Sequence, residues 1–166
     1  MTDHSPDVLA FRRTMGLFAT GVAVLAAFTP EGEPIGMTAN AIASVSLEPM
    51  LLLVCVDRQA RIAPHILKNP FFSLSFLNED QAPLSDLFAG RWKGAPLDFR
   101  FEPWGDTIRL SGCIAAVGCR RYQVLEGGDH WIIIGEVTAL YRPDSTPAPL
   151  IFYGGQYRRL APLGEE

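Results

Sequence analysis

Residues 36–46 read GMTANAIASVS, and they lie between two apolar runs, GVAVLAAFT at 21–29 and MLLLVCVD at 50–57. Both runs are typical of buried β-strands, and the second is apolar enough for a strand that is covered on both faces. The middle segment instead carries polar side chains at even-numbered positions, namely Thr38, Asn40, Ser44 and Ser46. In an unbroken strand, which we predict here, all four would lie on one face of the sheet.

Two interpretations of this polar face are open on the residues alone. It could be the exposed side of a half-buried strand, with its polar groups in water. It could also bind the edge of a flat polar heterocycle, because hydroxyl, amide and backbone groups supply hydrogen bonds there. The small side chains of Ala39, Ala41 and Ala43 would then let the ligand approach closely.

Composition favours one domain that spans residues 1–166. The chain is 48% hydrophobic and only 19% charged, which favours a surface partly covered by a second copy of the chain. The net charge is −4 and there is no basic run, so nothing indicates binding to nucleic acid or to an anionic membrane. No apolar run approaches the about 20 residues that cross a bilayer.

The cysteines and histidines bear on location and on metal binding. Cys55, Cys113 and Cys119 are an odd number and lie in strand-like runs, which fits reduced thiols in a cytoplasmic protein. The first residues lack the basic-then-apolar order of a secretory signal. His4, His65 and His130 show no ligand spacing, so no metal site is predicted.

Short helices are predicted at the N-terminus and at 60–69, and SDLFAG at 85–90 is predicted to end another short helix at Gly90. The first has Ser5 as its N-cap and Pro6 at its first helical position. Its apolar stripe recurs at spacings of three and four and consists of Val8, Phe11, Met15 and Phe18.

About seven strands account for most of the rest. Besides the segments above, strands are predicted at 71–77 and within TIRLSGCIAAVGCRRYQVL, HWIIIGEVTALYR and PLIFYGGQYRRL, while 91–106 is predicted to be an aromatic loop. Strands that follow one another without regular βαβ alternation favour an antiparallel barrel or sandwich, mainly β with short helices. Neither a Gly-x-Gly-x-x-Gly turn nor a Walker loop occurs, which disfavours the usual nucleotide-binding folds.

His130 follows a tight turn, EGGD at 126–129. A histidine at the mouth of a strand could bind a cofactor or position a hydride donor. It could equally make one backbone hydrogen bond within the turn. A nucleophile–base pair of Cys55 with His130 is disfavoured, since a thiol in a buried strand has a raised pKa.

The order of the motifs resembles the flavin reductase-like domain family from Phe11 to Leu160. The matching segments are FATGVAVL, GMTANAIASVSLEPMLLLVCVDRQAR, LFAG, EGGDHWIIIGEV and PLIFYGGQYRRL. Members are the small reductase components of two-component flavin monooxygenases. The resemblance implies an antiparallel split β-barrel that acts as a homodimer. It also implies hydride transfer from NADH or NADPH to FMN or FAD, and a flavin-dependent monooxygenase as partner.

The resemblance also implies a set of site residues. The flavin would lie along Thr38, Ala39, Asn40, Ala41, Ser44, Val45, Ser46, Cys55, Val56 and Asp57. The loop with Arg58 and Arg61 would reach the phosphate, and Phe88 and Ala89 would pack near the flavin. Tyr157 and Arg158 match a motif near the site, and His130 would position the nicotinamide as the one catalytic candidate.

Two departures from the family pattern concern the flavin phosphate. Many members carry hydroxyl residues where this chain has Ala60 and Ile62, although Arg58, Arg61 and a helix start near Ala60 could supply other donors. Asp98 stands where many members have lysine, and Lys93 could substitute. Weak binding of flavin as a diffusing substrate is therefore expected. The alternatives are a flavin carrier or store without turnover, and an interaction domain without ligand.

Overall fold

A computed structural model describes residues 6–145 and 147–161. In these residues the secondary structure is mainly β with short helices, as predicted, and no helix is both long and apolar enough to span a membrane. The helices are α1 (Val8–Met15), α2 (Ala63–Lys68) and α3 (Ala82–Phe88). The strands are β1 (Thr20–Gly21), β2 (Ala23–Phe28), β3 (Pro34–Ala39), β4 (Ile42–Leu47), β5 (Met50–Asp57), β6 (Phe71–Phe76), β7 (Phe101–Trp104), β8 (Thr107–Leu110), β9 (Ala115–Gly127), β10 (His130–Tyr141), β11 (Ile151–Tyr153) and β12 (Gln156–Arg158).

The predicted number of about seven strands was too low. Three predicted segments each contain two strands, because a turn or a break divides them into β3 and β4, β8 and β9, and β11 and β12. Part of the predicted loop at 91–106 is strand β7, which pairs with β8. The helix predicted to end at Gly90 runs from Ala82 to Phe88, and Gly90 follows it with a φ of +70°.

Seven strands form one antiparallel sheet in the order β3-β2-β6-β9-β10-β5-β4. Strands β3 and β4 lie at opposite edges, although only Asn40 and Ala41 separate them in the chain. Three Cα–Cα steps span at most about 11 Å, so the sheet has to curl until its edges meet. The N–H of Cys55 in β5 donates to the carbonyl of Ala41 at 3.0 Å at this seam, which we define as residues 39–42.

The prediction of one unbroken strand through the polar segment was therefore wrong. The break falls at Asn40–Ala41, and the register shifts again within β4, where Ser44 is opposite Leu52 and Ser46 is opposite Leu51. Adjacent residues of β5 point to opposite faces, so Ser44 and Ser46 lie on opposite faces of the sheet. The four polar side chains do not share one face.

The core has two parts, and β2 is buried on both faces between them. Leu25 belongs to a cluster inside the curled sheet, and Val24 belongs to a second cluster beneath α3 and β8. Strand β5 is covered on one face only. Its core side is buried, while Leu51, Leu53 and Cys55 on the other side are half-buried, which differs from the predicted cover on both faces.

Helix α1 begins at Val8, and Asp7 is its N-cap. The Asp7 carboxylate accepts hydrogen bonds from the N–H groups of Leu9 and Ala10, both at 2.8 Å. The predicted start at Pro6 was two residues early, and Ser5 and His4 lie outside the described residues. Helix α1 ends at Met15, so Phe18 of the predicted apolar stripe lies beyond it, and the four side chains of the stripe are 51% to 72% exposed.

Strand β6 carries two fully buried serines, Ser73 and Ser75. The β7–β8 hairpin covers them. The Ser73 hydroxyl donates to the carbonyl of Ile108, and the N–H of Leu110 donates to Ser75 Oγ at 3.0 Å. These serines supply hydrogen bonds to the backbone of β8 on the side away from β7.

We expect Ser75→Ala to destabilise the fold by about 1–3 kcal/mol, because it leaves the N–H of Leu110 buried without an acceptor. Urea unfolding measures this free energy. Ser145→Ala is the matched control, since Ser145 is exposed. Equal unfolding midpoints for the two variants would contradict the role given to Ser75.

Candidate functional site

A groove opens beside the seam and consists of two adjoining pockets that both include Val22 and Asn40. The larger pocket has a volume of about 390 Å³ and is mainly apolar. Its other lining residues include Phe18, Thr20, Ile42, Phe76, Ile114 and Leu150. The smaller pocket, of about 140 Å³, is more polar. Its other lining residues are Thr38, Ser85, Ala89, Arg91, Phe152 and Tyr157.

A hydrogen-bond network forms the polar wall of the smaller pocket. Thr38 donates to the carbonyl of Ser85 at 2.5 Å, which links β3 to α3. The phenol oxygen of Tyr157 lies 2.8 Å from both the Ser85 hydroxyl and a carboxylate oxygen of Asp86. Arg91 donates to the Tyr157 oxygen at 2.9 Å and to Asp86. The network therefore joins β3, α3, the loop after α3 and β12.

The surroundings fix the charges in this network. Burial raises the pKa of Tyr157, and the Asp86 carboxylate raises it further, although hydrogen bonds from Ser85 and Arg91 act in the opposite direction. The hydrogen bond to Asp86 raises the pKa of Arg91. At neutral pH the pocket therefore offers a neutral phenol, two aliphatic hydroxyls and one guanidinium cation.

Asn40 lies at the junction of the two pockets. Its side-chain amide donates to the Thr20 hydroxyl at 3.2 Å, and the residue remains exposed. Ala39 before it is buried, whereas Ala41 after it is exposed. Because the chain leaves β3 here, the Asn40 side chain stands at the mouth of the groove rather than within a sheet face.

The predicted site residues of β4 lie on an edge strand. Ser44 and Val45 are exposed and Ser46 is half-buried. Within the described residues β4 pairs only with β5, so its other edge presents backbone groups to solvent.

His130 lies at the other end of the seam region, opposite Asp57 in the register of β10 and β5. Its Nδ1 is 2.7 Å from a carboxylate oxygen of Asp129, and this hydrogen bond holds the pKa of Asp129 below its ordinary value. The turn before it has Gly128 at φ +70°, as the two glycines predict. The imidazole is 42% exposed and accessible to a ligand.

The loop after β5 has few free donors. The N–H groups of Arg58, Gln59 and Ala60 donate to the Asp129 carbonyl, the Asp57 carboxylate and the Asp57 carbonyl. Helix α2 begins at Ala63, so the prediction of a helix start near Ala60 that adds backbone donors was wrong.

The side chain of Arg58 is also engaged. Its guanidinium lies over the Trp131 ring, 4.1 Å from the centroid, and is 3.6 Å from the Glu126 carboxylate. Arg61 is exposed. Neither arginine lines the two pockets of the groove.

Several predicted site residues point away from the groove. Val56 is fully buried in the core, so only its backbone could meet a ligand. Phe88 packs against Phe99 and Phe101, with ring centroids 5.3 and 5.7 Å away. Arg158 is exposed, opposite Ile151 in the β11–β12 hairpin.

Cys55 faces the side of the sheet that is remote from the core. Burial raises the pKa of its thiol, as the sequence analysis expected for this strand. Among the described residues no group of three or more His, Cys, Asp or Glu side chains could hold a metal ion.

Four residues at the groove were not predicted as site residues from the sequence, namely Ser85, Asp86, Arg91 and Phe152. They come from α3, from the loop that follows it and from β11, and only the packing of these elements against β3 brings them to the groove. The one available signal was Gly90, whose predicted helix-ending role places Arg91 directly after a sharp turn.

The family model described as "Flavin reductase like domain" matches residues 15–161. FMN reductase (NADH) SmoA of Agrobacterium fabrum is 38% identical, over 92% of this chain and 86% of the relative. The reductase component of 4-hydroxyphenylacetate 3-monooxygenase of Thermus thermophilus is also 38% identical, over 91% of this chain and 95% of the relative.

A solved structure has the same fold. The NADH:FAD oxidoreductase SgcE6 of Streptomyces globisporus, in complex with NAD and FAD fragments, superposes with a TM-score of 0.85 and 31% identity, over 99% of this chain and all (100%) of that one. The family match covers the groove, the seam and His130 alike, so the chain belongs to the flavin reductase like domain family.

Proposed function

We propose that this protein is an NAD(P)H:flavin oxidoreductase that transfers a hydride from a nicotinamide nucleotide to FMN or FAD. The observation that carries the proposal is the two-part groove at the seam, with Asn40 at its junction. The relatives described above are named as reductases that use NADH with FMN or FAD. Their names support the proposal and favour NADH as the hydride donor.

The residues of the groove fit a flavin. The isoalloxazine ring is flat, with an apolar dimethylbenzene end and a polar pyrimidine end. The larger pocket offers Phe18 and Phe76 to an apolar group, and the smaller pocket offers Thr38 and Tyr157 to a polar one. A ring that lies across Asn40 would meet a matching surface at each end.

The bound flavin would supply the chemistry of accepting two electrons and a proton as a hydride. The protein contributes binding, orientation and the exclusion of water. Asn40, the exposed edge of β4 and the hydroxyls of the smaller pocket would hold the ring. His130, which is accessible beside Asp57, would position the nicotinamide.

Weak binding of the flavin is part of the proposal. Arg58 and the N–H groups of residues 58–60 already have partners, and Asp98 supplies no positive charge. A flavin that leaves readily suits transfer to a flavin-dependent monooxygenase. The Thermus thermophilus relative, which is named as a monooxygenase reductase component, supports such a partner.

We also propose that two copies form a homodimer through the outer face of the sheet. We define the outer face as Leu51, Leu53, Cys55, Ile132 and Ile134, which are all half-buried. Across β5 and β10, Cys55 is opposite Ile132 and Leu53 is opposite Ile134, while Leu51 is opposite Glu136 at the edge of the patch. A contiguous apolar patch of this kind is typical of an interface.

The exposed stripe of α1 adds further apolar area. A standard interface needs about 800 Å² from each partner, and a large aromatic side chain offers about 150–250 Å². Phe11 and Phe18 are 66% and 71% exposed, so the stripe and the outer face together reach that order.

One domain and a cytoplasmic location complete the proposal. A single family model matches residues 15–161 without interruption, which supports one domain over 1–166. Cys55, Cys113 and Cys119 are free thiols, which fits a reducing compartment.

Turnover tests the main proposal. The purified protein is expected to oxidise NADH under air, followed by absorbance at 340 nm, only when FMN or FAD is added. Asn40→Leu is expected to raise the dissociation constant for flavin at least about tenfold, because it removes the polar contact at the groove junction. Its melting temperature should change by less than about 4 °C, since the side chain is exposed.

Flavin binding without NADH oxidation would show that the protein is a flavin carrier or storage protein and not a reductase. If the protein neither bound flavin nor oxidised NADH, the remaining interpretation would be an interaction domain without a ligand. If Asn40→Leu bound flavin as tightly as the unaltered protein, the groove would not be the flavin site.

His130→Ala is expected to raise the KM for NADH about tenfold while kcat falls less, because His130 is assigned to binding and not to proton transfer. Steady-state kinetics with saturating flavin measures both. His65→Ala is the control, since His65 lies on α2 and outside the groove. Equal KM and kcat values for the two variants would contradict the assignment of His130 to nicotinamide binding.

Leu53→Glu is expected to convert the dimer to a monomer, because it would bury an unpaired carboxylate in an apolar interface. Light scattering after size-exclusion chromatography measures the mass. Leu140→Glu is the control, because Leu140 is already 69% exposed at the far end of β10. A monomeric unaltered protein, or a dimeric Leu53→Glu variant, would contradict the proposed interface.

A further inference from the structure

The smaller pocket has one charged side chain among its described lining residues, the guanidinium of Arg91. It lies beside the hydroxyls of Ser85 and Tyr157 and at the polar end of the groove. Arginine is well suited to bind phosphate and other anionic oxygens, because its planar fork offers several fixed donors. A pocket with this lining is suited to an anionic oxygen.

The guanidinium is held in place before any ligand arrives. Its Nε and Nη2 donate to one carboxylate oxygen of Asp86 at 3.1 and 2.9 Å, and Nη2 also donates to the Tyr157 oxygen. The backbone N–H groups of Arg91 and Trp92 both donate to the Asp86 carbonyl, at 2.8 and 3.1 Å. Side chain and backbone are thus anchored to the same residue.

This anchoring leaves one edge of the guanidinium available. All of its hydrogen bonds within the described residues use Nε or Nη2, so the two N–H groups of Nη1 have no protein acceptor there. The Arg91 side chain is 57% exposed, which keeps this edge accessible from the groove. Asp86 offsets part of the charge but binds the opposite edge.

The loop after β5 directs few of its donors toward the groove. Arg58 stacks on Trp131 and pairs with Glu126, and the N–H groups of residues 58–60 are occupied. Arg58 and Arg61 do not line the groove, whereas Arg91 does. A negatively charged group of a ligand in the groove would therefore meet Arg91.

We infer that Arg91, with Tyr157 beside it, forms a subsite for an anionic oxygen of the flavin substrate. The inference rests on the proposed function. Two parts of the substrate carry such an oxygen, namely the phosphate of FMN or FAD, and the pyrimidine edge of the ring, which becomes anionic on two-electron reduction.

The test compares Arg91→Met with the unaltered protein for FMN and for riboflavin, which lacks the phosphate. Flavin fluorescence gives the dissociation constants, and a spectroscopic redox titration gives the midpoint potential of the bound flavin. Arg100→Met is the matched control, because Arg100 is an exposed arginine outside the groove, 3.8 Å from its Glu102 partner.

Two outcomes support the subsite and identify its ligand. If the phosphate binds Arg91, the dissociation constant for FMN rises about tenfold and that for riboflavin stays within twofold. If the reduced ring binds it, the oxidised forms bind as before. The midpoint potential then falls by about 30 mV for each tenfold loss of affinity for the reduced form.

Two other outcomes overturn it. Affinities and potential equal to those of Arg100→Met would show that Arg91 meets no anion. An equal loss of affinity for oxidised FMN and riboflavin, with an unchanged potential, would show a packing effect. If the unaltered protein bound no flavin and oxidised no NADH, the proposed function would fail as well, so the two failures are distinguishable.

Folding of the variants is checked by circular dichroism and thermal melting. The Arg91 side chain is 57% exposed and that of Asp86 is 33% exposed, so loss of this partly exposed pair is expected to cost about 1 kcal/mol. Arg91→Gln is the second variant, because its amide can still donate to Tyr157 without a charge. It is expected to reproduce the effect of Arg91→Met on FMN or on the potential, and a value equal to the control would contradict the subsite.

Discussion

The link of two residues between β3 and β4 constrains the whole molecule. Asn40 and Ala41 join the opposite edges of a seven-stranded sheet, so the sheet has to curl and its edges have to meet. The hydrogen bond from Cys55 to Ala41 continues the β4–β5 pairing up to this seam. The groove lies at the seam because the strands cannot continue their pairing there, and backbone and side-chain polar groups remain free to bind a ligand.

The same constraint explains how distant parts of the chain reach one site. Curling brings the outer side of β3 against α3, where Thr38 bonds to Ser85, and β12 then adds Tyr157 to Ser85 and Asp86. The members of this network come from β3, α3, the loop after α3 and β12, so the polar wall of the groove depends on the packing of these elements. Binding and folding are thus coupled through a few hydrogen bonds.

Much of the fold could be predicted from the sequence, because β2, β5 and β6 have strong apolar patterns and the turn before His130 has its two glycines. The break at Asn40 could not, since the polar alternation from Thr38 to Ser46 fits an unbroken strand equally well. Asn40 and Tyr157 could be named from the family resemblance, and the structure brings both to the groove. Arg91 could not be named, because its place depends on the Asp86 carboxylate and on packing of α3.

The loop after β5 shows why a shared fold does not fix the strength of ligand binding. The N–H groups of residues 58–60 donate to Asp57 and Asp129 and form the turn before α2, so these three donors serve the fold rather than an anion. Hydride transfer requires only that the flavin and nicotinamide rings are held face to face while the hydride moves. A reduced flavin that must then leave dissociates more readily when its charged end makes few contacts. A groove for the ring beside a weak site for its charged part is therefore consistent with the proposed function, in which the reduced flavin leaves the protein.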